Sequence, residues 1–326
     1  MSVTIKDIAK TAGVSYSTVS KALRDSPLVK KPTKDRIKAV ANELGYQPNV
    51  AARSLVSKKS FAIGVVWPTI EQTVLSTLIT TINKQLEQLS YTTLISINEV
   101  ESALKIFNRY QVDAILAFDS SQSIDSFTSD VPIITYGLAN TKTTYPIIDV
   151  NRQKATYTAV QYLHKIGHRY ISYIGEVENE ELQKEKVKGF KQAISELGLP
   201  AFPAQIVKVQ DFDQYDGYEA TKQLLASTKL PTVILTGSHD LARGALQAIN
   251  EKKLSIPNDI SIISYDNISA LERFDTPLST VGVPLDKISD KIIEVLMNVI
   301  NGEEIETTIY LEPELRITTS CTSPPY

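Results

Sequence analysis

Apolar positions divide the chain in two. Through residue 45 they recur at intervals of three and four; beyond residue 60 they gather into short runs separated by helical stretches. In the first stretch Ile5, Ile8, Ala9 and Ala12 share one helical face, and Thr4 with Asp7 three residues on reads as a capped helix start. Gly13 stops that helix and Val14 plugs the corner. Ser15 then caps a second helix, Tyr16 to about Arg24, that turns Val19, Ala22 and Leu23 inward and leaves Tyr16, Ser17, Ser20 and Lys21 outside. A third helix is predicted from near Thr33, with Ile37, Val40, Ala41 and Leu44 inward and Gly45 at its end. Two short helices about a tight glycine turn, the second polar on its outer face, follow the pattern of a helix-turn-helix.

Beyond residue 60, FAIGVVW, TTLISI, DAILAF, VPIITY, YISYIG, PTVILTG and ISIISY read as strands. Helical stretches are predicted over 72–90, 100–110, 152–166, 181–197, 214–227, 239–252 and 285–301. Such alternation predicts an α/β core of doubly wound parallel sheets. Ligands of such sheets sit at the carboxyl ends of strands. The candidates there are Thr69 after the first run, Ser120 after DAILAF, Ser238 after VILTG and Asp266 after ISIISY. Within YDNIS, Asp266 reads equally as a turn former or as a ligand clamp.

Charge sharpens the division. Residues 1–60 carry 12 Lys and Arg against four Asp and Glu, and the remainder carries 22 against 33. A basic, helically patterned head on an acidic body points to a polyanion partner. Residues 48–56, PNVAARSLV, form a segment too short for an isolated helix in water. The small side chains at 51 and 52 allow close approach, and Leu55 beside Arg53 has the character of a minor-groove wedge. The single cysteine, Cys321, rules out an intrachain disulfide and suits a reducing compartment. With no signal-like N-terminus and no apolar run of membrane-spanning length, a cytoplasmic protein is expected. Three histidines without a CxxC predict no metal site, and the absence of GxSxG, GxGxxG or a Walker loop predicts no enzyme and no cofactor. His168 is expected at a turn rather than in a ligand pair with His164.

The runs TIKDIAKTAGVSYSTVSKAL and ELGYQPNVAARSL, with the linker into FAIGVVWP, resemble the lactose-repressor/galactose-repressor family of bacterial transcription regulators, and the likeness extends over essentially the whole chain. The resemblance implies a helix-turn-helix headpiece at 1–47, a hinge helix and linker at 48–60, and at 61–326 a two-lobed, periplasmic-binding-protein-like core for effector binding and dimerisation. It implies that Tyr16, Ser17 and Lys21 read bases, and that Ser15, Thr18, Ser20 and Tyr46 hold phosphates. Thr4 belongs to the same DNA-facing set, and Asn49, Ala52 and Leu55 would serve the hinge. Lys21 stands where many relatives carry arginine, and lysine lacks the planar fork that grips guanine. In the core the resemblance adds Lys186, where relatives carry arginine, and Phe212, a stacking aromatic. Asn151 replaces a usual aspartate and is expected to cap the following helix. The implied partners are a pseudo-palindromic operator DNA, a sugar-like effector and a second copy of the chain. The tail after Leu315 is too short for a tetramerising coil. A transport-type solute-binding protein would share the core fold but lacks a reason for the basic headpiece. Some relatives answer to a phosphoprotein rather than to a sugar, and the sequence leaves that open.

Overall fold

Thr4 and Asp7 start the first helix as their spacing predicts. The Asp7 carboxylate accepts from the Thr4 backbone N–H at 2.8 Å and from its hydroxyl at 2.7 Å, opening α1 (Ile5–Ala12). Those hydrogen bonds hold the Asp7 carboxyl below its ordinary range. Gly13 ends the helix with φ 62°, a left-handed conformation that costs glycine little, and Val14 N–H donates back to the Ala9 carbonyl at 3.1 Å. Ser15 Oγ accepts from Thr18 N–H at 3.1 Å and starts α2 (Tyr16–Leu23). The third helix, α3 (Lys31–Glu43), begins two residues earlier than the sequence suggests, because Pro32 fits the first turn, where its missing N–H has no partner to lose. Ile8, Val19, Ala22 and Ile37 meet in the middle, and Val29 from the connecting loop closes the cluster.

The structure, a computed structural model, describes residues 3–23, 25–46, 59–119, 128–137, 145–178, 180–203, 205–268 and 277–324. They form two units, 1–60 and 61–326. The second unit holds two sheets. In the first, β1 (Ala62–Val66), β2 (Thr92–Ser96), β3 (Ala114–Asp119), β4 (Ile133–Gly137), β5 (Ile147–Val150) and β11 (Thr308–Leu311) run parallel in the order β11-β5-β4-β3-β1-β2. In the second, β6 (Ile171–Glu176), β7 (Ile206–Lys208), β8 (Val233–Thr236), β9 (Ser261–Asn267), β10 (Ser279–Pro284) and β12 (Glu314–Arg316) take the order β12-β10-β9-β8-β6-β7, with only β12 antiparallel. The chain crosses between lobes three times, after β5, after β10 and between β11 and β12.

Helices cover both faces of each sheet. On the first, α4 (Thr73–Gln88) and α10 (Leu285–Asn301) pack Leu78, Ile82, Ile288 and Ile292 against Ile63, Leu116 and Ile134, while α5 (Val100–Tyr110) packs Leu104 and Phe107 on Ile115 and Ile133 of the other face. On the second, α6 (Arg152–Lys165) and α7 (Glu181–Glu196) bury Val160 and Phe190 against Tyr173, Val233 and Leu235. The opposite face, with Ile174 and Ile234, receives α8 (Gln214–Leu225) and α9 (His239–Glu251). Neighbouring residues such as Val233 and Ile234 enter different clusters because strand side chains alternate between faces. All seven predicted strands and all seven predicted core helices form. The sequence reading passed over β5, β7, β10, β11 and β12. Those strands are three to six residues long, and β10 is interrupted by Gly282 and ends at Pro284, so neither period is developed. Asn151 caps α6, its Oδ1 accepting from Lys154 N–H at 2.9 Å.

Two close approaches support the second lobe. A Cβ on Gly217 of α8 would lie 2.2 Å from the Leu241 carbonyl oxygen, and one on Gly244 of α9 would lie 2.0 Å from that of Gln214. The two helices therefore touch backbone to backbone. We expect Gly244→Ala to lower stability by about 1–3 kcal/mol through forced separation of α8 and α9, read as a lower midpoint in denaturant unfolding.

His168 is buried at the base of the same lobe. Its Nε2 lies 2.8 Å from the Thr322 carbonyl and its Nδ1 2.7 Å from Thr232 Oγ1. A carbonyl only accepts, so Nε2 carries the proton and Nδ1 accepts from the threonine hydroxyl. Burial lowers the His168 pKa from the ordinary 6.5. Above 6.5 the ring is neutral whether folded or unfolded and pH has no effect through it. As pH falls below 6.5 the unfolded chain takes up a proton before the folded one does, so stability falls. Unfolding at a series of pH values between 5 and 8 should show this loss, and His168→Gln should reduce its slope.

Candidate nucleic-acid interface and effector cleft

The outward face of α2 is composed as the sequence indicates. Tyr16 is 55 % exposed, Ser17 and Lys21 are exposed, and Thr18 and Ser20 are half-buried. Ser15 sits at the mouth of this helix, with its Oγ 2.9 Å from Ser17 Oγ and 2.8 Å from Thr18 Oγ1. Three hydroxyls thus gather where the helix dipole and backbone amides favour an anion. Thr4 is exposed at the start of α1, so its side chain lies at a second helix N-terminus. Tyr46 packs its ring against the headpiece core. Asn49, Ala52 and Leu55 lie outside the described residues.

The sequence reading omitted a further set of cations on this unit. Lys30 and Lys31 are exposed at the start of α3, whose first turn contains no acidic residue. Lys34 and Lys38 reach Asp25 at 3.3 and 3.4 Å. Lysines at the positive end of a helix are unfavourable unless an anion joins them. The run KKPTK carried this signal, which was counted only in the overall charge.

In the second unit the carboxyl ends of both sheets face a cleft. Among its buried polar groups is Arg152, at the first crossover and 7 % exposed. Nη1 pairs with the buried Asp149 carboxylate and donates to the Gly137 carbonyl at 3.2 Å and the Val150 carbonyl at 3.3 Å. The ends of β4 and β5 are thereby tied to the start of α6. Facing it from the first lobe are Phe118 and Tyr136, ring centroids 5.7 Å apart, with Trp67 edge-on behind Phe118 at 5.6 Å.

The second lobe brings Lys186, Phe212, Ser238 and Asp266 together, all four predicted from sequence. Lys186, 5 % exposed on α7, donates to the Gly237 carbonyl at 2.8 Å and holds Nζ 3.8 Å from the centre of the Tyr265 ring and 5.3 Å from that of Phe212. Burial lowers its pKa to about 8, against the opposing attraction of Asp266. Asp266, 9 % exposed, accepts from His239 N–H at 3.2 Å; burial raises its pKa, and the Lys186 charge pulls the other way. Asp266 adopts φ 80° and Phe212 φ 62°, so both are held by their surroundings in the left-handed region. For Phe212 the holder is Asp216, whose Oδ2 accepts from the N–H groups of Gln210, Asp211 and Phe212 at 3.0, 2.6 and 2.8 Å. The Phe212 ring covers Gly175 and Gly237, where a Cβ would meet it at 3.2 and 3.0 Å. Ser238 caps α9, its Oγ accepting from Leu241 N–H at 3.1 Å.

Thr69 is not brought to the cleft; its hydroxyl accepts from Glu71 N–H in a turn, and Gln72 lines the cavity instead. Ser120 lies outside the described residues. The residues that sequence reasoning missed are Phe118, Tyr136, Tyr265, Arg152 and Asp240. Three of them, Phe118, Tyr136 and Tyr265, are the last aromatic of a predicted strand, and Phe118 and Tyr265 lie two and one positions before the chosen Ser120 and Asp266. Asp240 joins the lobes: its carboxylate accepts from Thr73 N–H at 2.9 Å and from Thr73 Oγ1 at 2.5 Å, binding the first turn of α9 to the start of α4.

Comparison with known proteins follows the same division. Residues 4–49 match the family described as bacterial regulatory proteins, lacI family, and residues 160–321 match a periplasmic binding protein-like domain. The chain is 30% identical over 323 residues to catabolite control protein A of Priestia megaterium, covering 96% of this chain and 97% of that protein. It is 31% identical over 319 residues to the probable HTH-type transcriptional repressor ExuR of Bacillus subtilis (strain 168), covering 95% of each. Among solved structures, a Lac repressor dimer bound to operator and the anti-inducer ONPF superposes with a TM-score of 0.80 at 22% identity, over 98% of this chain and 99% of that one. A LacI family regulator from Enterococcus faecium with bound ribose gives a TM-score of 0.71 at 25% identity, over 80% of this chain and 99% of the other.

The bond between Thr73 and Asp240 generates a prediction. Thr73→Val removes one of its two donors without changing side-chain shape much. The cleft should then open more often and bind its ligand severalfold more weakly, since a closed state that is less populated lowers apparent affinity in proportion. Small-angle scattering should register the opening as a larger radius of gyration of the isolated 61–326 unit.

Proposed function

The chain belongs to the lacI family of bacterial regulatory proteins, and from that premise we propose that it represses genes of carbohydrate catabolism, with operator binding modulated by a sugar-like effector in the cleft. The observation that carries this reading is the outward face of α2, where Tyr16, Ser17 and Lys21 stand clear of the headpiece core on a strongly basic unit. These three side chains read base edges in the major groove. Thr4, Ser15, Thr18, Ser20 and Tyr46, together with Lys30 and Lys31, hold phosphates on either side.

Residues 48–60 act as hinge, served by Asn49, Ala52 and Leu55, with Ala51 and Ala52 allowing close approach and Leu55 entering the minor groove between base steps. A palindromic site needs two headpieces, so the working form is a homodimer. The solved Lac repressor bound to its operator is likewise a dimer. In the cleft Asp266 accepts from ligand hydroxyls and Phe212 offers a ring face, with Lys186 as donor and Ser238 at the edge. Solved relatives hold ribose and cellobiose, in keeping with a carbohydrate here. The activity is regulatory rather than enzymatic, and an acidic body behind a basic head limits non-specific DNA contact.

Operator binding by the full chain should fall steeply with salt, because basic side chains displace condensed counterions. Lys21→Ala should weaken binding to the cognate operator by about 1–3 kcal/mol and relax base preference at one position. Lys31→Ala should weaken cognate and random DNA alike. Fluorescence anisotropy at several salt concentrations tests all three. Salt-independent binding, or equal losses on both DNAs for Lys21→Ala, would refute the assignment of α2 as the reading helix.

A further inference from the structure

We propose that the effector is a sugar acid, and that its carboxylate is received by Arg152 together with the hydroxyls of Tyr136 and Tyr265. This rests on the reading of the cleft as a carbohydrate site and specifies which carbohydrate it takes.

Arg152 is only partly used by the protein. Its three hydrogen bonds all leave from Nη1, and among the described residues Nε and Nη2 have no partner. Tyr136 and Tyr265 line the same cavity, both are more than nine-tenths buried, and neither hydroxyl has a hydrogen-bond partner among the described residues. Arg152 lines that cavity with them. Burial pushes the Tyr136 hydroxyl up to about 12 and that of Tyr265 higher still, so both keep their protons and act as donors. Lys186 adds a fourth donor above the Tyr265 ring, with the Gly237 carbonyl as its one hydrogen-bond partner among the described residues.

The cavity thus presents guanidinium, phenol and ammonium protons, with the Asp266 carboxylate and Gln183 Oε1, which has no partner among the described residues, as acceptors beside them. A carboxylate is the ligand group that only accepts, and it accepts two parallel bonds from one guanidinium edge. A hydroxyl in the same place brings a proton of its own that needs an acceptor, and burying polar groups without partners is costly. Charge selects among anions. Asp149 already offsets Arg152, Asp266 offsets Lys186, and the Asp240 carboxylate is occupied by Thr73. The hydrogen bonds from Thr73 leave the Asp240 charge in place, so the cavity has no surplus positive charge and tolerates a single negative charge better than the nearly double charge of a phosphate ester. The hydroxyls at the other end of the same ligand then supply the donors that Asp266 lacks. Tyr136 comes from the first lobe and Tyr265 from the second, so one carboxylate held by both favours closure.

Calorimetry on the full chain at pH 7 tests this with D-galacturonate, D-glucuronate and D-gluconate set against D-galactose, D-glucose and D-glucose 6-phosphate. At least one acid should bind tenfold or more tightly than its neutral parent. Tyr136→Phe and Tyr265→Phe keep the rings and remove one donor each, so the fold is retained. Each should weaken the acid by about tenfold or more, the loss of a hydrogen bond to a charged group, and weaken a neutral sugar by less. Neutral sugars binding as well as the acids, or both phenylalanine variants binding the acid normally, would overturn the carboxylate site while leaving a carbohydrate effector standing. Preference for the phosphate ester would overturn the carboxylate in the same way. If no sugar, acid or ester binds at all, the carbohydrate reading itself fails.

Discussion

The buried pair of Asp149 and Arg152 is the constraint on which the second unit is organised. A guanidinium taken out of water is tolerated only with a counter-charge and further acceptors at hand, and here Asp149 and the carbonyls of Gly137 and Val150 supply both. Because those acceptors belong to the ends of β4 and β5 while Arg152 opens α6, satisfying one side chain fixes the angle at which the chain leaves the first lobe. The donors that the pair does not use then face the cleft.

Around that crossover the other cleft groups are held by second contacts rather than by their own preferences. Asp216 gathers three backbone N–H groups to keep Phe212 in a left-handed conformation, and the absence of side chains at Gly175 and Gly237 gives its ring a surface to lie on. Lys186 remains charged at neutral pH in spite of burial because two aromatic faces, the Gly237 carbonyl and the field of Asp266 compensate it in part. Asp240 is placed by the first turn of α9 where it meets the start of α4, so at this edge a carboxylate joins the lobes. Polar bonds of this sort are readily exchanged with water, which suits a cleft that opens and closes; closely packed apolar surface resists such sliding.

The headpiece follows a simpler logic. Its core is small, and the helix ends do much of the work: Asp7 and Ser15 satisfy backbone donors, and Gly13 allows the turn between α1 and α2. These devices are local in sequence, which is why the three helices were legible almost to the residue. The lysines at the start of α3 run against the helix dipole, a local disadvantage of the kind expected where a polyanion docks.

By itself the sequence determined the three headpiece helices, seven of the core strands, the seven core helices and the separation of basic head from acidic body. These are set by periodicity, capping and charge, all of which act over a few neighbouring residues. It also determined four members of the cleft, Lys186, Phe212, Ser238 and Asp266, by family likeness and by their place after strands. Only the tertiary structure decided the rest. Short strands such as β7 and β12 exist because neighbours 30 or more residues away supply their hydrogen bonds. Phe118, Tyr136 and Tyr265 looked like ordinary strand residues, since an apolar run does not announce which of its last side chains faces core and which faces cavity. Arg152 opens a predicted helix, and its burial follows only once Asp149, Gly137 and Val150 are brought around it. Thr73 and Asp240, 167 positions apart, have no relation until two lobes close on each other. Local physics selects elements, whereas a binding site is a coincidence of distant chain segments that only packing brings about.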